Sequence, residues 1–552
     1  MPQLQINQGP QDALLYDNTR SYFTNVGYVR TSNFQMELRD IEATNQADLG
    51  TTAQWVIPKA ADLLGAVDLI VKFNKVSSSS SDLNDNTYAA WVETLGYAMI
   101  DKITFSVGST DIETLQGEHL NIINELMRSE TQRYAKMIGK TGRSPVQFVT
   151  AAHASASAAE DAQAFIDENR MIAYKSGSQT DEDGKELIVP LGLFFTKHPS
   201  QYFPLAAIAG CNDVRITIKF RQKEDLIVLG NLDRKMSYDD DDKGGINLTD
   251  TAPAQATLMP QWSNKVMNTC KLRCHYIHVT GPEATTLMNK EHVRLMKLYS
   301  NAGPYYMSAK STDSNAKWSM DLSFLHPVQE LIITIRKRSE LNNSSDGKVQ
   351  FSDDDQKAHG KNWFAYHGSG NDPNIESLRN RVTTYAGKDG KTAYTYGNLL
   401  TGSVAKNTVK VKGFKLTLNG QERHPGLDND VGIDRDYLMD RMMPMLHSNT
   451  ADTYQEVSSQ SGCIVDGSEL DFRLLQEMKD RKEIYVYPFA LNPEGANPSG
   501  AVNFSKVSHA KFTINYDAVQ TSSSDVDYQV DVYGVYYNWL QIKDGRALLS
   551  FA

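Results

Sequence analysis

The run Val189-Pro-Leu-Gly-Leu-Phe-Phe195 leads into Val214-Arg-Ile-Thr-Ile218, and Val486-Tyr-Pro-Phe-Ala-Leu491 leads similarly into Ala510-Lys-Phe-Thr-Ile514. Val214 and Ala510 are 296 residues apart, while Phe105 and Lys415, in a second pair of matching runs, are 310 apart. Two separations this similar predict one β plan written twice, with loops of unequal length. Any two β domains share some of this texture, so the pattern alone leaves duplication open.

Alternation with a period of two residues recurs along the whole chain. Many strands with few crossover helices predict antiparallel sandwiches rather than a parallel sheet. The best helical pattern is Gly117–Met127, where Leu120, Ile123 and Met127 fall on one face. The predicted strands are rich in β-branched and aromatic residues. They are Val67–Phe73, Lys102–Val107, Val214–Phe220, Leu331–Arg336, Phe414–Leu418, Ile484–Phe489, Lys511–Tyr516 and Tyr528–Tyr537.

Length and composition restrict the class of protein. The chain has 552 residues, of which 40% are hydrophobic and 22% charged, so two or more ordinary globular domains are expected. Four cysteines exclude a disulfide framework and predict synthesis in a reducing compartment. The net charge of −11 argues against broad binding to nucleic acid. No secretory signal and no apolar run of about 18 residues is visible, so no transmembrane segment is expected.

Three segments are predicted to lie outside the sandwiches. Gln222–Ser263, which carries four consecutive acids at Asp239–Asp242, is interpreted as an exposed connection between the two copies. Ser129–Glu186 and Lys337–Lys410 are interpreted as long surface loops. Loops of this length usually have a functional reason, so they are expected to form an outward-facing or partner-binding surface.

Candidate chemical sites are weak. Gly139-Lys140-Thr141 resembles the end of a phosphate-binding loop, but the glycine required five residues before Gly139 is Tyr134. Cys270, Cys274, His275 and His278 contain zinc-ligand types. In an extended strand, however, Cys270, Cys274 and His278 would spread over about 26 Å, too far for one ion. A buried strand with small thiols is the preferred interpretation.

The remaining motifs also favour structure over chemistry. Asp239–Asp242 lacks the spacing of a calcium loop and is expected to be a solvated acidic run. No nucleophile elbow, zinc-protease motif or dinucleotide fingerprint occurs. We therefore predict no catalytic residues, no cofactor and no metal. Glycosylation sequons stand at Asn247, Asn342, Asn343 and Asn503, and their modification is left open.

Read in order, these segments resemble the major capsid proteins of nucleocytoplasmic large DNA viruses. The strongest signature is Tyr485-Val-Tyr-Pro-Phe-Ala-Leu-Asn-Pro-Glu494 followed by Asn497-Pro-Ser-Gly-Ala-Val-Asn-Phe-Ser505. Ser109, Leu325 and Lys506 depart from the family pattern at turns. The other matching segments are Tyr28–Phe34, Asp62–Leu64, Trp91–Ile100, Gly117–Leu120, Val189–Phe195, Phe203–Ile208, Phe324–Leu331, Leu418–Arg423 and Tyr537–Leu540.

The resemblance implies an all-β fold of two consecutive eight-stranded antiparallel jelly-roll sandwiches, a double jelly roll, with long loops and a few short helices. We expect an N-terminal arm at 1–27, jelly roll 1 at 28–222, a connecting segment at 223–264, jelly roll 2 at 265–545 and a tail at 546–552. Pro498 and Gly500 are expected to form a defined corner, with positive φ at Gly500. His326-Pro327 is expected to begin a strand.

The implied function is that of a structural subunit rather than an enzyme. We expect a homotrimer of pseudo-hexagonal outline that contacts neighbouring capsomers, minor capsid proteins and penton proteins in the virion shell, after synthesis in the host cytoplasm. The long loops could contact a host surface or carry glycans. The alternative is a carbohydrate-binding or carbohydrate-active β-sandwich protein, which would need two facing carboxylates that sequence cannot locate.

Overall fold

A computed structural model describes most of the strand-forming sequence. The described residues are 32–74, 87–127, 137–140, 146–149, 160–161, 163–166, 171–174, 178–179, 185–231, 234–238, 246–250, 262, 265–310, 313–341, 363–364, 366, 383–386, 392–395, 409–423, 432–447, 484–495, 497–517 and 526–551.

The first sandwich contains eight principal strands, all paired antiparallel. One sheet has the strand order β1-β8-β3-β6, and we call it the outer sheet. The other has the order β2-β7-β4-β5, and we call it the inner sheet. The strands are β1 (Phe34–Glu42), β2 (Thr52–Ile57), β3 (Leu63–Phe73), β4 (Ile100–Val107), β5 (Thr110–Leu115), β6 (Glu186–Pro190), β7 (Val214–Phe220) and β8 (Met267–Val279).

The second sandwich repeats this plan. Its outer sheet has the order β9-β16-β11-β14 and its inner sheet the order β10-β15-β12-β13, so adding eight to each strand number of the first sandwich reproduces the second. The strands are β9 (His292–Asn301), β10 (Ala316–Asp321), β11 (Pro327–Lys337), β12 (Lys410–Leu418), β13 (Gln421–Glu422), β14 (Ile484–Pro488), β15 (Ala510–Asp517) and β16 (Val526–Lys543). The shared order confirms the double jelly roll.

Helices are few and short. The longest are α1 (Gly117–Met127), whose predicted bounds are confirmed, and α2 (Pro282–Asn289). Further helical turns lie at Leu95–Ala98, Arg338–Leu341, Tyr437–Met442 and Met443–Leu446, with one-turn 3-10 segments at Phe194–Thr196, Pro199–Gln201, Leu205–Ala207, Lys223–Asp225 and Phe504–Lys506. No helix in the described residues is long and apolar enough to cross a bilayer.

Smaller strands flank the sandwiches. Phe203–Pro204 adds to β3; Tyr305–Ala309 and Arg546–Leu549 add to β16; Val502–Asn503 adds to β11; Ile433–Asp434 adds to β12. The separate small sheets contain Thr87–Trp91, Val146–Val149, Glu160–Asp161, Gln163–Ile166, Met171–Tyr174, Ser178–Gln179, Ile227–Asn231, Arg234–Tyr238, Ile246–Asp250, Thr383–Ala386 and Thr392–Thr395.

Each core follows from strand alternation. On β3, Val67, Leu69, Val71 and Phe73 point between the two sheets and are buried, because side chains alternate faces along a strand. In the second sandwich, Tyr485 of β14 packs on Phe414 of β12 with ring centroids 4.7 Å apart. This contact joins the two sheets of the second sandwich and fixes which face of each is interior.

The predicted strands are found, with one difference. The apolar run Val189–Phe195 is a strand only as far as Pro190, and a 3-10 turn begins at Phe194. Gly500 has φ of +130° and His326 immediately precedes β11, so both corner predictions are confirmed.

The strand β8 lies on the other side of the expected domain boundary. The predicted division places residues 265–279 in jelly roll 2, yet β8 pairs with β1 and β3 of the first sandwich. A jelly roll needs its last strand to return between its first and third strands, so the chain must come back after the segment 223–264. That segment also contains Ile227–Asn231, which pairs with Thr87–Trp91. It is therefore more than a bare connection.

Candidate functional site: the joint between the two sandwiches

The helix α1 lies between the sandwiches rather than on a surface. Its sequence predicts one apolar face, yet eight of its eleven residues are buried. Leu120 faces Gly192 of the first sandwich, while Glu118 and His119 reach residues of the second. Gly117 is required at its start, because a Cβ atom there would lie 2.2 Å from the Tyr97 carbonyl oxygen. A helix packed on both sides holds two sandwiches together.

The surface that α1 meets is the outer face of the second sandwich's outer sheet. On β11, Leu331, Ile333 and Ile335 face the interior, so Thr334 and Arg336 face outward. Both outward side chains are nevertheless buried, as is Asp531 of β16. We call the contact between α1, its neighbouring segments and this face the joint.

A cluster of four charges forms the centre of the joint. The Arg336 guanidinium lies 2.8 Å from the Glu118 carboxylate and also pairs with Asp531. Arg221, from the end of β7, lies 3.2 Å from Glu118, and the Tyr533 hydroxyl donates to Glu118 at 3.3 Å. Two arginines balance two carboxylates. Buried charges are tolerated when they are paired and hydrogen-bonded in this way.

Burial and pairing act in opposite directions on these groups. Burial disfavours the charged form of Arg336, but Glu118 and Asp531 raise its pKa well above the ordinary value. Burial lowers the pKa of Arg221, although Glu118 opposes this change. Burial raises the pKa of Tyr533, so its hydroxyl remains a neutral donor. The cluster is therefore an ion network in which Arg336 stays charged and the Tyr533 hydroxyl stays neutral.

A segment between β11 and β12 covers the cluster. The Trp363 ring lies under Arg221, whose guanidinium carbon is 3.7 Å from the ring centroid. The Trp363 indole N–H donates to the Asp225 carbonyl at 3.3 Å, and Arg336 donates to the Trp363 carbonyl at 2.9 Å. The buried Tyr366 ring lies beside Arg336. One short segment therefore contacts the arginines of both sandwiches.

The joint extends past the charged centre. The rings of His119 and Tyr299 meet edge-on with centroids 3.7 Å apart, and the Lys197 ammonium donates to the Tyr299 hydroxyl at 2.5 Å. Burial lowers the pKa of His119 well below its ordinary value, so the imidazole is neutral. These contacts add ring packing and a hydrogen bond between the sandwiches.

Backbone contacts complete the joint near the end of the chain. The Gly545 carbonyl accepts from the Ala209 N–H at 3.0 Å and from the Asn212 side-chain amide at 2.8 Å. Gly545 has φ of +75°, and a Cβ atom there would lie 2.4 Å from the Ala209 Cβ. Both conditions require glycine at this close approach.

A second buried ionic group lies wholly within the second sandwich. His447 Nε2 lies 3.0 Å from Glu330 Oε2, and His447 Nδ1 lies 3.4 Å from Glu494 Oε1. The Lys297 ammonium donates to the Pro493 carbonyl at 2.6 Å and to the Gly495 carbonyl at 2.5 Å. These contacts attach the segment after β14, the strongest family signature, to β9 and β11.

The charge state of this group follows from its contacts. Burial alone would lower the pKa of His447, but its hydrogen bonds to Glu330 and Glu494 raise it to about 9. Burial lowers the pKa of Lys297 to about 8. An imidazolium held between two carboxylates is a structural clamp.

The sequence candidates lie apart from both ionic groups. Lys140 pairs with Glu125 at 2.9 Å, and Gly139 has φ of +76° in a turn beside Leu95. Cys270 and Cys274 are buried on β8, where burial raises both thiol pKa values to about 12. His275 lies 3.7 Å from Asp68 and His278 lies 2.9 Å from Glu37. No group of three or more metal-ligating side chains occurs in the described part of the chain.

The acidic run and two of the four sequons lie outside the described residues. Asp239–Asp242, Asn342 and Asn343 lie outside the described residues, as do most of the predicted loops Ser129–Glu186 and Lys337–Lys410. Asn247 lies in a short strand, and the exposed Asn503 accepts a hydrogen bond from the Ser505 N–H. Glycosylation at these positions stays a prediction.

Sequence reasoning missed the joint. Glu118 stood in a quoted motif, yet nothing marked it as buried. Two charged residues in apolar strands could have indicated the joint. Arg336 ends the run Leu331–Arg336, and Asp531 interrupts the run Tyr528–Tyr537. A buried charge needs a partner, so each could have been flagged, although the partner could not be named.

Comparison with known proteins identifies relatives of this chain. Residues 21–269 match the family described as "Major capsid protein N-terminus". The major capsid protein of Phaeocystis pouchetii virus is 23% identical over 99% of this chain and 98% of that protein. The chain is similar along nearly its whole length to major capsid proteins of large DNA viruses. The resemblance inferred from the sequence motifs is therefore confirmed.

Solved structures agree on the fold. The Faustovirus major capsid protein has a TM-score of 0.58 at 12% identity, covering 95% of this chain and 93% of that one. A chain of the PBCV-1 virus capsid has a TM-score of 0.55 at 16% identity, covering 96% and 100%. The relatives are structural capsid components, which confirms the expectation of a structural protein rather than an enzyme.

Proposed function

We propose that this chain is the repeating subunit of the outer shell of a large icosahedral double-stranded DNA virus, and that three copies form a capsomer of pseudo-hexagonal outline. The observation that carries the proposal is the repeated strand order of the two sandwiches. Three subunits with two similar sandwiches each present six similar units around one axis. Closed cyclic symmetry then gives a shape that tiles a hexagonal lattice.

The joint supports this function because a pseudo-hexagonal outline needs a fixed relation between the two sandwiches. A flexible linker would let the sandwiches reorient, as domains joined by small polar interfaces generally do. Here Arg336 of one sandwich is buried against Glu118 of the other, and Trp363 contacts Arg221. The two sandwiches would therefore keep a fixed relative orientation and act as one rigid unit.

The strand pairing also leads us to propose a different division of the chain. Jelly roll 1 would run to Val279, the end of β8, and jelly roll 2 would begin at His292 with β9. The intervening α2 would be the connection. This places eight strands in each unit and leaves Asp239–Asp242 inside an excursion of the first.

The decisive experiment is the assembly state of the purified chain. Size-exclusion chromatography with light scattering should give a mass near three times 61.6 kDa, and electron microscopy should show hexagonal particles. A monomer at micromolar concentration, without hexagonal particles, would refute the proposal. A sugar-processing activity with a pair of facing carboxylates would favour the alternative function instead.

A row of exposed apolar residues on β1 allows a sharper version of the experiment. Phe34, Met36 and Leu38 project from the outer face and are 60%, 53% and 52% exposed. Apolar patches of this kind commonly mark protein–protein contacts. Met36→Glu should weaken trimer formation by about tenfold, corresponding to about 1.4 kcal/mol. Gln35→Glu, which adds the same charge on the opposite strand face, is the matched control and should leave the trimer intact.

The remaining partners are part of the same proposal. Neighbouring capsomers, minor capsid proteins and penton proteins would contact the trimer within the virion, after synthesis in the host cytoplasm. Parts of Ser129–Glu186 and Lys337–Lys410 outside the joint would bind a host surface or carry glycans. The net charge of −11 predicts that purified trimer does not retain duplex DNA at physiological salt, which a filter-binding measurement checks.

A further inference from the structure

One carboxyl group in the joint lacks the compensation that its neighbours receive. Glu113 of β5 is 3% exposed. Its Oε2 atom accepts a hydrogen bond from the Phe194 N–H at 2.8 Å, while its Oε1 atom is buried with no hydrogen-bond partner. A buried polar atom without a partner needs an explanation, because leaving it unsatisfied costs free energy.

The single hydrogen bond of Glu113 connects it to the contact between the sandwiches. Phe194 begins the 3-10 turn Phe194–Thr196, and Lys197 follows immediately. The Lys197 ammonium crosses to the second sandwich, where it donates to the Tyr299 hydroxyl and lies 4.7 Å from the ring centroid. The position of this turn is thus set by Glu113 on one side and by Tyr299 on the other.

The groups around Glu113 do not neutralise an ionised carboxylate well. On β4 the residue paired with Glu113 is Phe105, which carries no charge. Lys197 acts at a distance, since its hydrogen bond goes to Tyr299. Other titratable groups on the elements packed against β5 include His119 of α1, which is buried and neutral, and Tyr536 of β16, whose pKa is raised by burial and by Glu113. Lys297 of β9 donates to the Pro493 and Gly495 carbonyls, and Arg546 is exposed.

The balance of these influences falls near neutral pH. Burial raises the pKa of Glu113 to about 7, and the Phe194 N–H and the Lys197 charge oppose this rise only in part. Both the neutral and the ionised carboxyl are therefore accessible close to physiological conditions. When the Glu113 carboxyl ionises, it places a negative charge in the joint that has no ion-pair partner among the described residues.

We propose that Glu113 is a proton-operated latch: the Phe194–Lys197 turn is held against the second sandwich while the carboxyl is protonated, and it opens more often once the carboxyl ionises. The latch belongs to a single chain, so it does not depend on trimer formation or on the proposed shell. A failure of one idea leaves the other testable.

The direction of the pH dependence follows from linkage. In the opened turn the carboxyl is hydrated and regains its ordinary pKa of 4.5, whereas in the closed turn the value is about 7. As pH rises from 4.5 to 7 the open form ionises first, so opening becomes more favourable, and above 7 the effect levels off. Between pH 5.5 and 8.5 the opening equilibrium should rise about 30-fold, since each unit of pKa difference corresponds to tenfold.

The test is hydrogen–deuterium exchange of the full chain, followed by mass spectrometry of peptides that contain Phe194–Lys197 and Tyr299. After correction for intrinsic exchange rates, the wild-type protein should show the about 30-fold rise. Glu113→Gln should show no such rise, because the amide does not ionise. Asp111→Asn, an exposed acid on the same strand, should behave as the wild type.

A second variant keeps the proposal testable if Glu113→Gln does not fold. Lys197→Met removes the positive charge that lowers the pKa of Glu113, so the exchange transition should move to higher pH. A purely structural lysine would change the amount of protection and leave the midpoint of the transition in place. A flat wild-type profile, the same rise in Glu113→Gln, or an unmoved midpoint in Lys197→Met would each overturn the latch.

Discussion

Asp68 and Glu330 occupy the same place in the two sandwiches and have opposite surroundings. Each acid precedes a Leu-Ile pair on the third strand of its sandwich, and each pairs with the last residue of the neighbouring strand, Pro190 or Pro488. The Asp68 side chain is 23% exposed with His275 at 3.7 Å, whereas Glu330 is fully buried with His447 at 3.0 Å. The same position is surface in one copy and interior in the other.

The two sandwiches have the same strand order and differ in whether the outer face of the outer sheet is buried. In the first sandwich the outer face exposes ion pairs such as Arg273 with Asp40. In the second, the corresponding face is covered by α1 and by the helical turns that end at His447. Exposed ion pairs contribute little to stability, while a buried one becomes costly when a partner is removed. Equal substitutions should therefore have unequal effects in the two copies.

The largest effect is expected from Arg336→Met. The substitution leaves Glu118 and Asp531 buried with half of their compensation, so the free energy of unfolding should fall by about 3–5 kcal/mol. Urea unfolding at pH 7 measures this loss. Arg273→Met, the same change on the exposed outer face of the first sandwich, should cost less than about 1 kcal/mol. Equal losses would show that the joint does not carry the stability assigned to it.

A smaller difference should separate Glu330→Gln from Asp68→Asn. Glu330→Gln removes one of the two carboxylates that face His447, but the imidazole can release its proton and limit the damage. We expect a loss of about 2–3 kcal/mol in urea unfolding at pH 7. Asp68→Asn acts on a half-buried pair that water still reaches, and it should cost less than about 1 kcal/mol. If both variants unfold at the same urea concentration, the burial contrast between the copies has no energetic meaning.

The sandwiches could be predicted from sequence because strand alternation is local. The helix Gly117–Met127 and the strand Val214–Phe220 were located to the residue. The joint could not be predicted, because the pairing of Glu118 with Arg336 depends on how two distant sandwiches pack. The pairing of β8 could not be predicted for a similar reason: the acidic run before β8 suggested a linker, whereas only long-range pairing shows that β8 returns to the first sandwich.

The smallest effect concerns the pH dependence of the buried clamp. The pKa of His447 is raised from 6.5 to about 9, so its stabilisation is complete below pH 6.5 and is lost as pH rises through 9. Above pH 8, Lys297, whose pKa is lowered to about 8, acts in the opposite direction, so the window from pH 7 to 8 isolates the histidine.

Within that window the free energy of unfolding should fall by about 1 kcal/mol, since a group that stays protonated only in the folded state loses about 1.4 kcal/mol for each pH unit. His447→Gln should remove this slope, and His275→Gln, the matched change beside Asp68, should retain it. The window lies mostly above the pKa of Glu113, so a slope that vanishes in Glu113→Gln but persists in His447→Gln would assign the titration to the joint. The pH dependence would then no longer reflect the difference between the buried Glu330 of the second sandwich and the more exposed Asp68 of the first.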